Sequence, residues 1–195
     1  MTEKEKMLAG MIYDSGDEDI LKEQAGFVKY MKEYNTLGMD DEARIEELLP
    51  MMFADVGDEC FIQPPFYANW GGHHVHLGTG VYANFNLTLV DDGNIYIGNN
   101  TMIGPNVTIA TAGHPILPEL RNDALQFNVD VHIGKRVWIG AGVIILPGVT
   151  IGDNSVIGAG AVVTKDIPAN VVAVGNPCRV LREINDHDRE YYYKD

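Results

Sequence analysis

Long apolar runs are missing from this 195-residue chain, and no membrane-spanning helix is predicted, since a span needs roughly eighteen or more consecutive apolar residues. Cysteine is scarce: Cys60 and Cys178 lie far apart, match no zinc or redox spacing, and are expected to be inert thiols. Positive charge is scarce as well. Fourteen Lys and Arg stand against 28 Asp and Glu, a net charge of −14. That balance argues against a nucleic-acid or anionic-membrane surface. The opening Met1-Thr2-Glu3-Lys4-Glu5-Lys6 lacks the apolar stretch of a secretory signal, so a cytoplasmic protein is expected. Nor is there a good covalent nucleophile: no Ser-His-Asp order stands out, and neither cysteine lies near His114 in sequence. This leaves no side chain marked out to form a covalent intermediate. The length suits one domain with a substantial core, with or without an appended subdomain.

What the chain does have is a six-residue beat. Positions 77, 83, 89, 97, 103, 109, 133, 139, 145, 151, 157 and 163 read Leu, Ala, Leu, then eight Ile and a Val. Gly follows the beat at 78, 98, 104, 134, 140, 152 and 158, and two positions before it stand Val75, Val81, Leu87, Ile95, Val107, Val131, Val137, Val143 and Val149. Neither a helix nor a flat strand has this period; a hexapeptide repeat predicts a parallel β-helix. Each unit supplies one short strand and one corner, and three units close a triangular coil. Inward side chains then stack on their equivalents about 4.8 Å away. The corners carry Asn99-Asn100, Asp153-Asn154 and the repeated glycines.

Three regions follow. Residues 1–56 are charged and helical in pattern and are predicted to cap one end of the stack. Their apolar stripes are Met7, Leu8, Met11 and Ile12; Ile20, Leu21, Phe27, Val28 and Met31; and Ile45, Leu48, Leu49, Met52 and Phe53 behind Asp40-Asp41-Glu42. Residues 57–180 hold the β-helix, with 57–74 as a transition punctuated by Pro64-Pro65 and Gly71-Gly72. Asp91-Asp92 shift the beat by two, and a long loop at 111–130 breaks it entirely, as functional excursions do. The tail 181–195, with Tyr191-Tyr192-Tyr193, is predicted to be a short helix on the last coil.

His114 is the sharpest chemical candidate. It stands in Ala112-Gly113-His114-Pro115, at the root of the excursion, and an imidazole can act as a general base near neutral pH. The plainer reading, a loop histidine capping a turn, is outweighed by that position. Asn84 is a candidate to orient the base or donate to an oxyanion, and Asp92 to hold a sugar hydroxyl; a corner and a turn residue are the plainer alternatives. Lys165, Arg179 and Arg182 gather near the last coil as an anchor for the phosphates of an anionic cofactor, or as ordinary surface charge. Trp138 is either a flat wall for a ligand or packing between subunits. His73, His74, His76 and His132 invite a zinc reading of the γ-carbonic-anhydrase kind. The paired-histidine spacing of that class is not found within the coils, so no metal is required, and His73, His74 and His76 are expected to be exposed turn and strand residues.

Taken together, these motifs closely resemble the hexapeptide-repeat (left-handed β-helix) acetyltransferases, in their galactoside/maltose O-acetyltransferase branch. The resemblance covers nearly the whole chain. It rests on Glu3-Lys4-Glu5-Lys6-Met7-Leu8-Ala9-Gly10, Tyr82-Ala83-Asn84-Phe85-Asn86, Gly113-His114-Pro115, Val149-Thr150-Ile151-Gly152-Asp153-Asn154, Val162-Val163-Thr164-Lys165-Asp166-Ile167-Pro168 and Gly175-Asn176-Pro177-Cys178-Arg179-Val180. It implies a mainly β, left-handed coil with a helical cap, and a homotrimer whose active sites lie between subunits. It further implies acetyl-CoA as co-substrate and a sugar hydroxyl as acceptor. His114 matches the catalytic base and Asn84 the residue assisting the transition state. Asn69, Asn84 and Asp92 fall at acceptor-binding positions. Ala141, Ala159, Thr164, Lys165, Arg179 and Arg182 fall at coenzyme A positions, with Trp138 at a wall of the pantetheine channel.

The departures touch the acceptor side. Asn69 and Ala141 stand where relatives can have Ser, Gln24 where they have Arg, and Ser15 where they have an acceptor-binding Asp, a role open to Asp14 or Asp17. The segment Asn69-Trp70-Gly71-Gly72-His73-His74 also reads one residue longer. The rival expectations are an acetyltransferase for a non-sugar or xenobiotic alcohol, a metal-dependent β-helix lyase, and a non-catalytic scaffold.

Overall fold

The computed structural model describes residues 1–38 and 40–190. From Asp55 the chain winds into a left-handed parallel β-helix with three faces. The first face stacks Asp55–Val56, Val75–Leu77, Ile95–Ile97, Val131–Ile133 and Thr150–Ile151. The second stacks Phe61–Ile62, Tyr82–Ala83, Met102–Ile103, Trp138–Ile139, Val156–Ile157 and Val171–Val174. The third stacks Phe66–Ala68, Leu87–Val90, Thr108–Ala110, Ile144–Ile145 and Val162–Val163.

The beat residues pair with one another in register. On the third face Ala68, Leu89, Ile109, Ile145 and Val163 form one column. On the first, Val56, Leu77, Ile97, Ile133 and Ile151 do the same. All twelve beat positions and all nine aliphatic positions two before them are buried. Where the second series turns polar, the hydroxyl finds a partner in the neighbouring coil: Thr101 Oγ1 donates to the Gly134 carbonyl and Ser155 Oγ to the Pro168 carbonyl, both at 2.8 Å. A buried hydroxyl so paired costs little. Corners use Asn in the left-handed region, with φ of 57° at Asn100 and 62° at Asn154.

The first coil, Asp55–Ala68, begins before the recognisable repeat and lies partly in what reads as a transition. Its inward residues Ile62, Phe66 and Ala68 are buried, but Pro64-Pro65 and the bulky Phe residues hide the beat. Its open end is covered by helices α2 (Glu18–Tyr34) and α3 (Glu42–Met52), while α1 (Glu3–Leu8) packs against α2 and the strand Leu125–Asn128. Met31, Tyr34, Ile45, Leu48, Leu49, Met52 and Phe53 pack on the first coil and continue its core. Asn35 completes the edge strand like a strand residue: its Nδ2 donates to the Phe66 carbonyl at 2.7 Å and its Oδ1 accepts from the Phe66 N–H at 3.0 Å. Unpaired strand groups are thereby satisfied where another coil would have been.

The first apolar stripe behaves otherwise than expected. Met7 is buried, but Leu8, Met11 and Ile12 are exposed, because α1 stops at Leu8 and Gly10 turns the chain at a φ of 67°. The tail also differs. It begins as a strand, Arg179–Glu183, antiparallel to Val171–Val174, and only then makes one 3-10 turn, Asp186–Arg189. The strand satisfies the last edge of the second face, a role a helix cannot fill. Tyr191-Tyr192-Tyr193 lie outside the described residues.

Coil contact at the corners is close. A Cβ placed on Gly98 would stand 2.6 Å from Gly134 C and Lys135 N. Both are backbone atoms in the next coil and cannot swing aside. Gly98→Ala is therefore expected to lower unfolding free energy by about 1–3 kcal/mol, read from the urea midpoint; an unchanged midpoint would contradict this packing.

Candidate active site

The 111–130 excursion is an ordered hairpin rather than a bare loop. Ala112–Gly113 pairs antiparallel with Leu125–Asn128, and the short helix α4 (Pro118–Asn122) lies between them. Tyr13–Asp14 from the N-terminal arm adds to the other edge of Leu125–Asn128, with Tyr13 opposite Gln126 and Asp14 opposite Leu125. His114 follows directly on this three-stranded sheet and is exposed. Its Nδ1 lies 2.8 Å from the Leu125 carbonyl oxygen. A carbonyl only accepts, so Nδ1 carries the hydrogen. In the neutral ring Nε2 then keeps its lone pair, as a base requires.

Three of the acceptor-side candidates lie around the same hairpin. Asn69 Nδ2 donates to Asp92 Oδ2 at 2.8 Å, and Trp70 Nε1 lies 3.4 Å from Asp92 Oδ1. Asn128 Nδ2 donates to the Asp92 backbone carbonyl at 2.9 Å, tying this turn to the hairpin. Asp14 is half-buried, with Oδ1 accepting from the Gly16 N–H at 2.8 Å. The alternative acid, Asp17, is occupied: its carboxylate accepts from Asp19 N and Ile20 N as the N-cap of α2. Ser15 Oγ donates to the Ala124 carbonyl at 2.9 Å.

A second group lines a groove of about 430 Å³ along one edge of the second face. Asn84, Trp138, Ala141 and Ala159 all border it, with Tyr82 and Met102. Its floor is glycine because the coils nearly touch; a Cβ on Gly140 would meet Ala159 N at 2.6 Å. Among the described residues, the backbone N–H groups of Ala141 and Ala159 have no hydrogen-bond acceptor. Each is thus a free donor facing a corner. Trp138 is 56% exposed, on the outward side of its strand. Thr164 and Lys165 are exposed just beyond Val162–Val163. Arg179 Nη1 donates to the Cys178 carbonyl at 2.7 Å. Arg182 grips Asp188 through two bonds of 2.9 and 2.6 Å, so its fork is already engaged. His114 does not line this groove, and Asn84 sits with the groove residues rather than with Asn69 and Asp92.

Asp91, which reads as one of two turn residues, is fully buried and accepts from the backbone N–H groups of Trp70 and Gly72 at 2.8 and 2.9 Å. Burial outweighs those bonds and pushes its carboxyl up to about 7. Tyr13, Gln126 and Asn128 form a buried polar cluster beneath the hairpin that no local pattern discloses. His73, His74 and His76 are half-buried rather than exposed as expected, whereas His132 is exposed. His73 stacks on Phe27 with ring centroids 3.5 Å apart, His74 Nδ1 meets the Asp91 carbonyl at 2.7 Å, and His76 stacks on Tyr96. Among the described residues, no three His, Cys, Asp or Glu are grouped to hold a metal ion. No helix among them is long and apolar enough to cross a membrane.

A triangular coil stack with a helical plug, an ordered excursion and a glycine-floored groove defines a hexapeptide-repeat transferase. Residues 130–165 match the family model for bacterial transferase hexapeptides, and residues 6–57 match the maltose acetyltransferase hexapeptide capping motif. A galactoside O-acetyltransferase of Lactococcus lactis subsp. lactis is 56% identical over 181 residues, covering 93% of this chain and 87% of that protein. One from Escherichia coli K12 is 48% identical over 191 residues, covering 98% and 94%. A solved structure of galactoside acetyltransferase in complex with coenzyme A superposes with a TM-score of 0.95 at 47% identity, over 100% of this chain and 97% of that one. A maltose O-acetyltransferase from Clostridium difficile 630 gives 0.92 at 46% identity, over 95% and 99%. The chain belongs to the hexapeptide-repeat acetyltransferases, in the galactoside/maltose O-acetyltransferase branch.

The seat of the arm on the coils is expected to respond to acid. Burial, and then the neighbouring His74, hold the His73 imidazole below its ordinary value of 6.5. Between those two values the unfolded chain binds more protons than the folded one. His73's contribution is therefore present above pH 6.5 and is lost as pH falls through the folded value. The stability difference between the chain and His73→Gln, from urea unfolding, should shrink between about pH 8 and pH 5. A difference that stays constant, or grows on acidification, would refute this.

Proposed function

We propose that this chain is an acetyl-CoA:sugar O-acetyltransferase acting on a hydroxyl of a galactoside or of maltose or glucose, with His114 as general base. The observation that carries the catalytic assignment is the bond from His114 Nδ1 to the Leu125 carbonyl, which commits Nε2 to accepting a proton. The galactoside O-acetyltransferase relatives and the coenzyme A complex support the reaction class. Acetyl-CoA supplies an acetyl group activated as a thioester. His114 takes the proton of the acceptor hydroxyl as that oxygen attacks the thioester carbonyl. The C–O bond forms, the C–S bond breaks, and the protonated imidazole returns its proton to the departing sulfur. The free Ala141 N–H and the Asn84 side chain are donors for the charge developing on the carbonyl oxygen.

The proposed assembly is a homotrimer. His114 and the groove holding Asn84 and Ala141 are separate within one chain, so a neighbouring subunit has to bring them together. The outward residues agree with this. Met102 and Trp138 on the second face and Tyr67 and Ile144 on the third are exposed apolar side chains, whereas the first face presents His76, Tyr96 and His132. Two adjacent apolar faces suit a head-to-tail contact that closes into a ring. The two free cysteines fit a reducing compartment such as the cytoplasm.

Replacing His114 with Ala should lower turnover by roughly 10²–10⁴-fold while leaving the circular dichroism spectrum intact. Wild-type turnover in that variant, across a panel of galactosides, maltose and non-sugar alcohols, would end the assignment. Lys165→Ala should raise the acetyl-CoA dissociation constant by about two- to fivefold with little change in kcat, as expected of an exposed charge–phosphate contact. An unchanged dissociation constant by calorimetry would remove Lys165 from the coenzyme site.

A further inference from the structure

The N-terminal arm also reaches the catalytic hairpin, and one phenol stands at the centre of that contact. Tyr13 is 1% exposed, and its hydroxyl meets the amides of Gln126 and Asn128. It accepts from Gln126 Nε2 at 2.5 Å and from Asn128 Nδ2 at 3.4 Å, and donates to Asn128 Oδ1 at 3.5 Å. Burial pushes the phenol up to about 12, so it stays neutral and can both accept and donate.

Gln126 and Asn128 are two apart on one strand and so share a face of it. Leu125 immediately precedes them, and its carbonyl holds His114 Nδ1. Asn128 reaches onward to the Asp92 carbonyl. One hydroxyl thus joins the arm, the strand that aims His114 and the turn that carries Asp92.

The residue before Leu125 makes this dependence sharper. Ala124 sits at a φ of 56°, a conformation that L-residues with a Cβ resist. Its carbonyl accepts from Ser15 Oγ, again from the arm. The strand pairing between Tyr13–Asp14 and Gln126–Leu125 is only two residues long, too short to hold by itself. Ser15 thus holds the Ala124–Leu125 peptide and Tyr13, through Gln126, the end of the next one, the Leu125–Gln126 peptide whose carbonyl meets the imidazole; without the arm neither peptide keeps that support.

We propose that Tyr13 is a positioning residue for the reaction: from the arm, its hydroxyl holds the strand whose Leu125 carbonyl sets the His114 ring, so the base is correctly aimed only while the arm is docked. The proposal rests on the reading of His114 as general base.

The test is a double-mutant cycle with a spectroscopic readout. Tyr13→Phe removes one oxygen and should lower kcat by about tenfold or more, with the KM for acetyl-CoA within about twofold. In ¹⁵N NMR, the single Nδ1–H tautomer of His114 should give way to a mixture. In the His114→Ala background, Tyr13→Phe should change the residual rate by less than about twofold, because the group it positions is gone. If His114→Ala itself keeps wild-type turnover, the general-base reading fails first. If His114→Ala is slow but Tyr13→Phe costs the same factor in both backgrounds, or leaves the tautomer unchanged, Tyr13 is structural only and the proposal is overturned. Should Tyr13→Phe not fold, Ser15→Ala, outside the core, must show the same non-additive pattern at about threefold; additivity there would equally overturn it.

Discussion

Inward aliphatic columns place everything else in this molecule. A coil closes when its three strands each send an apolar side chain to the axis, and the next coil stacks when its own side chains fall directly above. Leu89 over Ile109 over Ile145 is one such contact series. Because the strand period is two, fixing the inward residue also fixes its neighbours as outward. Tyr82, Met102 and Trp138 stand in line on the second face for that reason and not through any contact of their own choosing. The groove beside them has a glycine floor for the same reason: a corner that permits coils to approach to contact distance leaves no room for a Cβ.

The same columns explain how so large an excursion is tolerated. The chain leaves after Ala110 and returns at Val131, yet Ile133 stacks on Ile97 and Ile145 on Ile109 as if nothing intervened. The insertion lies wholly outside the core register. It can carry its own sheet, its own buried polar cluster and the exposed His114 without disturbing the stack.

Legibility follows from this division. The coils were readable because the inward positions admit few residue types and recur at a fixed interval. The first coil was not, since Phe61, Phe66 and Pro64-Pro65 replace the aliphatic beat where the helices close the end. His114 stands out as a candidate from its framing by Gly113 and Pro115 at the root of a break, and Trp138 from its break in the Val series, whereas Ala141 is singled out only by the family resemblance. The partner of His114 was not readable, because a main-chain carbonyl eleven residues away leaves no mark on side-chain identity. Asp91 was hidden likewise. It looks like a turn residue until the Trp70 and Gly72 amides are seen to depend on it. The failed stripe around Met11 and Ile12 shows the converse: apolar spacing suggests a helix, but Gly10 had already ended it.

The two halves of the site therefore obey different rules. The groove side is written by the repeat, and changes there must respect coil spacing. The hairpin side is assembled from unlike pieces: the arm through Asp14, the two-residue insertion through Asp92, and the hairpin through Asn128. No periodic constraint links these pieces. They are held by individual hydrogen bonds such as Asn69 to Asp92, which a change of one residue can make or break without cost to the stack. Departures from the family pattern at Ser15 and Asn69 fall on this side, where the fold leaves them room. The physics that makes the transfer chemistry readable is thus the same physics that leaves the sugar open.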